Sequence, residues 1–132
     1  MTILVDASAL VAMAVKEEDA RALAARLDEH DDRLYCPTGE WEAVLAIARK
    51  RTLSLDEARG ELGILIERLE LRPVVIGERE ALLAIDAATR YGNGTGHPAQ
   101  LNMGDCFAYA CAKAQDATLL YKGNDFSHTD LG

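Results

Sequence analysis

Paired cysteines, positive charge and long apolar runs are all scarce in this 132-residue sequence. Its three cysteines, Cys36, Cys106 and Cys111, form no CxxC pair, and an odd number argues against a disulfide framework. They fit reduced thiols in a cytoplasmic protein. No N-terminal signal pattern precedes the first apolar run, and no stretch approaches membrane-spanning length. A soluble cytoplasmic protein with no membrane contact is expected. Lysine and arginine number 14 against 22 aspartates and glutamates, a net charge of −8. Such a balance disfavours a broad nucleic-acid surface, because counterion release rewards basic proteins. The local exception is Arg49-Lys50-Arg51, with Lys113 and Lys122 as outliers. These five are candidate phosphate contacts, though a solvated helix end complementing the dipole explains the cluster equally well.

Several catalytic signatures are missing too. The loop Gly92-Asn93-Gly94-Thr95-Gly96 lacks a Gly-Lys-Ser/Thr ending and follows a helix, so it is no phosphate loop. His30, His97 and His128 show no His-Cys spacing suited to zinc, and His97 and His128 read as surface residues. No Ser-His-Asp order stands out.

What is present is one globular domain, residues 1–132, with 49% apolar residues. Residues 2–6 read as a buried strand, after which Ser8 caps a short helix through Leu10-Val11-Ala12-Met13. A second helix spans roughly 17–31, with Ala20, Leu23, Ala24 and Leu27 at helical spacing. Residues 33–36 form a strand stopped by Pro37, and Thr38 caps a helix to Arg51 that buries Trp41, Val44, Leu45 and Ala48. Ser54-Leu55-Asp56-Glu57 is a capping box opening a helix to Leu69. A strand at 73–76 precedes a helix from Glu78 to Tyr91 with Ala81, Leu82, Ile85 and Ala88 inward, ended by Gly92. A last helix, about 103–116, leads to a strand at 118–121. Strands alternating with helices predict a three-layer α/β domain, its sheet of four or five strands mostly parallel and flanked by helices.

Four acids then draw together. Asp6 closes the first strand, and ligands of open parallel sheets bind beyond the strands' carboxyl ends. Glu42 lies early in a helix, with Glu40 competing for the same role. Asp105 sits in a first helical turn, where Asn102 caps and the carboxylate faces free amides. Asp125 follows Gly123-Asn124 after the last strand. Ser8, two residues past Asp6, is placed to orient it or a bound water. Two carboxylates about 5 Å apart repel by roughly 3 kcal/mol at an effective dielectric near 20. A hard divalent cation, Mg²⁺ or Mn²⁺, relieves that repulsion and suits all-oxygen ligation. The chemistry implied is phosphodiester hydrolysis.

Three segments carry a family likeness: Val5-Asp6-Ala7-Ser8-Ala9-Leu10, Leu101-Asn102-Met103-Gly104-Asp105-Cys106-Phe107, and Leu119-Leu120-Tyr121-Lys122-Gly123-Asn124-Asp125-Phe126. The chain resembles PIN domains, in particular the VapC toxins of toxin–antitoxin pairs, over nearly its whole length. That resemblance implies a metal-dependent endoribonuclease with Mg²⁺, for which Mn²⁺ substitutes. Asp6, Glu42, Asp105 and Asp125 would be its catalytic acids, with Asp6, Asp105 and Asp125 on the metal. Arg49, Lys50, Arg51, Lys113 and Lys122 would be its candidate RNA contacts. It further implies inhibition by a small VapB-type antitoxin, homodimerisation, and promoter DNA contact only through the antitoxin complex. Two other readings stand beside it. A catalytically idle PIN-like binding module shares the ligands, and a phosphoacceptor receiver fails because Ala7, not a second acid, follows Asp6. Relatives often add a short strand beyond Thr129-Asp130-Leu131-Gly132, so a shortened C-terminus is expected.

Overall fold

A short apolar strand, β1 (Thr2–Val5), is the axis of the computed structural model, which describes residues 1–132. Ile3 and Val5 face one side of the sheet and Leu4 the other, the period of two that a strand imposes. β1 is flanked in parallel by β2 (Asp32–Tyr35) and β4 (Thr118–Leu120), and β3 (Arg72–Pro73) lies outside β2. The sheet therefore has four strands in the order β3-β2-β1-β4, all parallel. Helices α1 (Ala7–Ala14), α2 (Ala20–Asp28), α3 (Pro37–Arg51) and α4 (Leu55–Arg68) pack on the Ile3/Val5 face. Helices α5 (Glu78–Tyr91) and α6 (Met103–Ala114) pack on the Leu4 face. The chain builds outward from β1 to β3, then returns to place β4 on β1's free side. That reversal leaves a crevice at the carboxyl ends of β1 and β4, the switch point where α/β sheets bind ligands. No helix is long and apolar enough to cross a membrane.

Several local expectations change. Asp6, not Ser8, is the N-cap of α1, and Cys36 with Pro37 behind it, not Thr38, opens α3. A proline at the first helical position gives up only an amide that had no helical partner. α2 is shorter than the span 17–31, because Glu17 and Asp19 turn to Lys122 instead. β3 keeps only Pro73 of the four residues expected and adds Arg72: Pro73 has no amide to donate, and the chain leaves the sheet with Val75 83% exposed.

The buried face of α5 is Ala84, Ala87 and Tyr91, while Leu82, Ile85 and Ala88 face outward and Ala81 is half-buried. Trp41 is 63% exposed and Val44 and Leu45 are half-buried, whereas Ala48 is buried as expected, together with Gly39, Ala43 and Ile47. The capping boxes of Ser54 with Glu57 and of Asn102 with Asp105 are both formed. Gly92 ends α5 in extended rather than left-handed backbone (φ −71°, ψ 162°).

The C-terminal segment is fastened from inside. Asp130 accepts from the buried Tyr109 hydroxyl at 2.6 Å and from Tyr91 at 3.3 Å, and it pairs with Lys113 at 2.5 Å. Phe126, fully buried, packs edge-on to Tyr121 with ring centroids 5.2 Å apart. Asp130→Ala strands a buried hydroxyl, a loss of about 1–3 kcal/mol. Urea unfolding is expected to show that loss, and adding Tyr109→Phe to recover part of it. Simple additivity of the two losses would mean the contact stabilises nothing.

Candidate active site

Asp6 reaches the crevice because β1 ends there and α1 begins. Its Oδ2 accepts from the Ser8 amide at 3.1 Å and from the Ser8 hydroxyl at 2.6 Å. The Ser8 oxygen in turn accepts from the Lys122 amide at 3.0 Å, and the Asp6 amide donates to the Leu120 carbonyl at 2.9 Å. One hydroxyl thus fixes the Asp6 rotamer and ties the start of α1 to the segment after β4. Asp6 is only 5% exposed, and burial, then the charge of Asp125, raises its pKa against the hydrogen bonds from Ser8 that lower it.

Asp105 stands at the third position of α6. Its Oδ2 accepts from the Asn102 amide at 3.2 Å while the Asp105 amide donates to Asn102 Oδ1 at 2.9 Å. The expected helix role is therefore real, yet it leaves one carboxylate oxygen for the crevice. Burial raises the Asp105 pKa to about 7, helped by the charges of Asp125, Asp6 and Glu42 and opposed by the Asn102 amide.

Glu42 lies on α3, half-buried against the N-terminus of α6. A Cβ on Gly104 would overlap its carboxylate, so this glycine is what lets α6 and Glu42 approach. Burial raises the Glu42 pKa, followed by the charges of Asp6 and Cys36. Glu40 instead acts on Tyr35, whose pKa burial raises first and Glu40's charge second. Glu42 is the helix acid that belongs to the crevice. Asp125 is exposed, in the loop after β4 beside the buried anchor Phe126, and its charge bears on both Asp6 and Asp105.

Four acids from four segments therefore converge. No group of three or more is gathered closely enough to hold one ion by itself. With a carboxylate edge of this kind at the switch point, the family is decided by the chain as a whole: the PIN domain matches residues 3–131. The chain belongs to the PIN-domain family. Among PIN relatives, a protein named VapC ribonuclease from Rhizobium meliloti is 42% identical, aligned over 97% of this chain and 98% of its own. Ribonuclease VapC28 of Mycobacterium tuberculosis is 39% identical over 97% and 94%, and Ribonuclease VapC42 of the same species 34% over 97% and 95%.

The basic candidates divide. Arg49, Lys50 and Lys122 line an open cavity of about 530 Å³ with Ser8 and Glu42. Lys122 is tethered there to Glu17 at 3.3 Å and Asp19 at 3.5 Å. Arg51 turns away, donating to the Ala14 carbonyl at 3.2 Å and facing Glu61, and Lys113 is held by Asp130. Neither is brought to the acids. One feature was invisible in the sequence: the room that Gly104 leaves for the Glu42 carboxylate.

These shifts fix the pH response of the metal-free PIN domain. The folded protein holds the Asp105 proton up to about pH 7, whereas the unfolded chain releases it near 3.8. The folded state binds more protons between those values, so this contribution is full below about pH 4 and is lost as pH rises through 7. Asp105→Asn keeps an oxygen for the Asn102 amide and removes the titration. In chelator its thermal midpoint is expected above wild type at pH 7.5, with the advantage gone at pH 4. Parallel curves for the two proteins would count against a buried, repelled carboxylate at this position.

Proposed function

We propose that this PIN-domain protein is a metal-dependent endoribonuclease, the toxin of a toxin–antitoxin pair, restrained by a small VapB-type antitoxin in the cytoplasm. The observation that carries the reading is the convergence of Asp6, Glu42, Asp105 and Asp125 at the sheet's switch point, each of the first three with a raised pKa. The relatives' name, ribonuclease, supports RNA as the substrate.

The donor set fits Mg²⁺ or Mn²⁺: every donor is a hard carboxylate oxygen. An arrangement too open to enclose an ion alone suits cations that keep several waters and take one or two carboxylates plus substrate phosphate. Asp6, Asp105 and Asp125 are the residues that would hold it, not all directly but in part through its waters. When bound, such an ion polarises the phosphodiester and lowers the pKa of a water molecule.

The chain supplies the rest. Ser8 holds the Asp6 carboxylate in one orientation, and Asn102 does the same for Asp105. Glu42, outside that trio, would accept a proton at a carboxylate oxygen from the attacking water, a role its raised pKa supports. Arg49 and Lys50 flank the cavity on the Glu42 side and offer charge to the RNA backbone. Lys122, already paired with Glu17 and Asp19, contributes mainly local field.

For partners, the exposed apolar residues of α5, Leu82 and Ile85, support a homodimer across that helix, and the outer face of α4, where Ile64 is exposed, supports the antitoxin. Promoter DNA is then contacted through the antitoxin alone.

End-labelled RNA incubated with Mg²⁺ or Mn²⁺ is expected to be cut at internal positions, and to stay intact in chelator or with Asp6→Asn. Intact RNA under every metal condition would leave a binding module without turnover. Mn²⁺ at about 100 times its dissociation constant is expected to stabilise wild type by about 2.7 kcal/mol. Asp6→Asn should gain much less, and an equal gain would place the ion elsewhere. Expression of the protein alone is expected to arrest growth and co-expression of the neighbouring small gene product to restore it. Normal growth with abundant active protein would argue against the toxin role.

A further inference from the structure

Trp41 is the only tryptophan of the chain, and it is 63% exposed on a helix whose buried face is Gly39, Ala43, Ile47 and Ala48. It does not stand on a random surface. With Pro37, Thr38, Met103 and Gly104 it walls a cavity of about 370 Å³ whose remaining wall is Glu42. Met103, 70% exposed, forms the opposite rim. Glu42 also lines the cavity that carries Arg49, Lys50 and Lys122. One catalytic acid therefore separates two cavities of opposite character. The Trp41–Met103 cavity offers an indole face and a thioether; the Arg49–Lys50 cavity offers cations.

A polynucleotide strand has the same division, with anionic phosphates along one edge and flat bases along the other. We propose that the Trp41–Met103 cavity takes an unpaired nucleobase next to the cleaved phosphodiester, stacked on the indole, while Arg49 and Lys50 hold an adjoining phosphate. This rests on the ribonuclease reading and adds which residues of this chain hold the base beside the cut. Bases within a duplex are covered on both faces by their neighbours, so an aromatic platform reads only bases that are splayed out. Stacking of this kind tolerates any base, because each presents a π-face. The polar side chains of the cavity are Thr38 and Glu42 alone, so stacking on Trp41 contributes affinity and register with little base preference of its own.

The single tryptophan makes the test direct. The full-length protein is titrated, in Ca²⁺ buffer, with a fluorescein-labelled mixed-sequence RNA 12-mer, its integrity checked by gel afterwards. Binding is read by anisotropy, and Trp41 by its own emission with an unlabelled copy of the same RNA. The single strand is expected to bind and to quench the emission. The same strand annealed to its complement, and a 12-mer of abasic nucleotides, are expected to bind weakly with little quenching. Trp41→Ala should weaken single-strand binding roughly 5- to 150-fold, the range for loss of one stacked base, and Trp41→Phe should recover part of it. Arg49→Ala with Lys50→Ala should weaken binding of every nucleic acid tested and flatten its salt dependence while leaving the quench at saturation unchanged. Anisotropy that rises without quenching would overturn the stacking proposal and spare the ribonuclease reading. Equal quenching by the duplex would overturn it as well. No anisotropy change with any RNA would instead remove the ribonuclease reading itself. A blue shift of the emission on raising protein concentration without RNA would mean a second copy covers Trp41, and would also overturn the proposal.

Discussion

Everything at the functional edge of this molecule depends on keeping mutually repelling carboxylates in a place where water cannot fully screen them. Asp6 is nearly buried, and Asp105 is buried and raised to about 7. Neither position favours folding through its charge. What holds them is that each is also useful to the backbone: Asp6 caps α1, and Asp105 closes the capping box of α6. Helix N-termini carry free amides and the positive end of the dipole, which offset part of the repulsion. The acids are thus pinned by helix starts, and the helix starts are pinned by a parallel sheet that brings its loops to one edge. Removing a carboxylate's charge and removing its hydrogen-bonding oxygens are different perturbations here, because only the first relieves repulsion and only the second unravels a cap.

That double use explains what was legible in the sequence and what was not. Asp6 was legible because an apolar run ends in an acid, a pattern no packing role accounts for. The capping boxes at Ser54 and Asn102 were legible because their spacing is fixed by local geometry. Helix orientation was less so. α5 carries apolar residues on two stripes, and the larger ones, Leu82 and Ile85, drew the inward assignment. The helix turns its alanines inward instead, Ala84 and Ala87 beside Tyr91, so that α5 and α6 pack closely. Trp41 misled for the same reason: bulk was taken for burial. In α5 the larger apolar side chains are outside because small ones are needed within, whereas α3 buries Ile47 and leaves Trp41 on its outer side. Such exposed residues mark surfaces left for something other than the core.

The competition between Glu40 and Glu42 shows the limit of one-dimensional reading. The two are neighbours on one helix, both in plausible positions, and nothing in the local pattern separates them. The structure separates them through a residue sixty-odd positions away, Gly104, which has no side chain where the Glu42 carboxylate lies. The distinctive run Leu101-Asn102-Met103-Gly104-Asp105 is then intelligible residue by residue. Asn102 caps, Gly104 makes room for Glu42, Asp105 closes the box and faces the crevice, and Met103 rims the cavity beside Trp41. A motif that looked like a family signature is a set of four separate physical requirements.

A chain of net charge −8 that acts on a polyanion must solve the problem locally. Of five basic candidates, Arg51 and Lys113 are committed to structure and Lys122 is neutralised by Glu17 and Asp19, which leaves Arg49 and Lys50. Two cations release few counterions, so backbone attraction alone gives weak binding with a shallow salt dependence. Affinity for RNA on the proposed reading must then come largely from uncharged contact beside the acids, and the sequence has one residue built for that. On that reading, an exposed tryptophan beside Glu42 would let an acidic protein hold RNA where it is cut without becoming a general nucleic-acid binder.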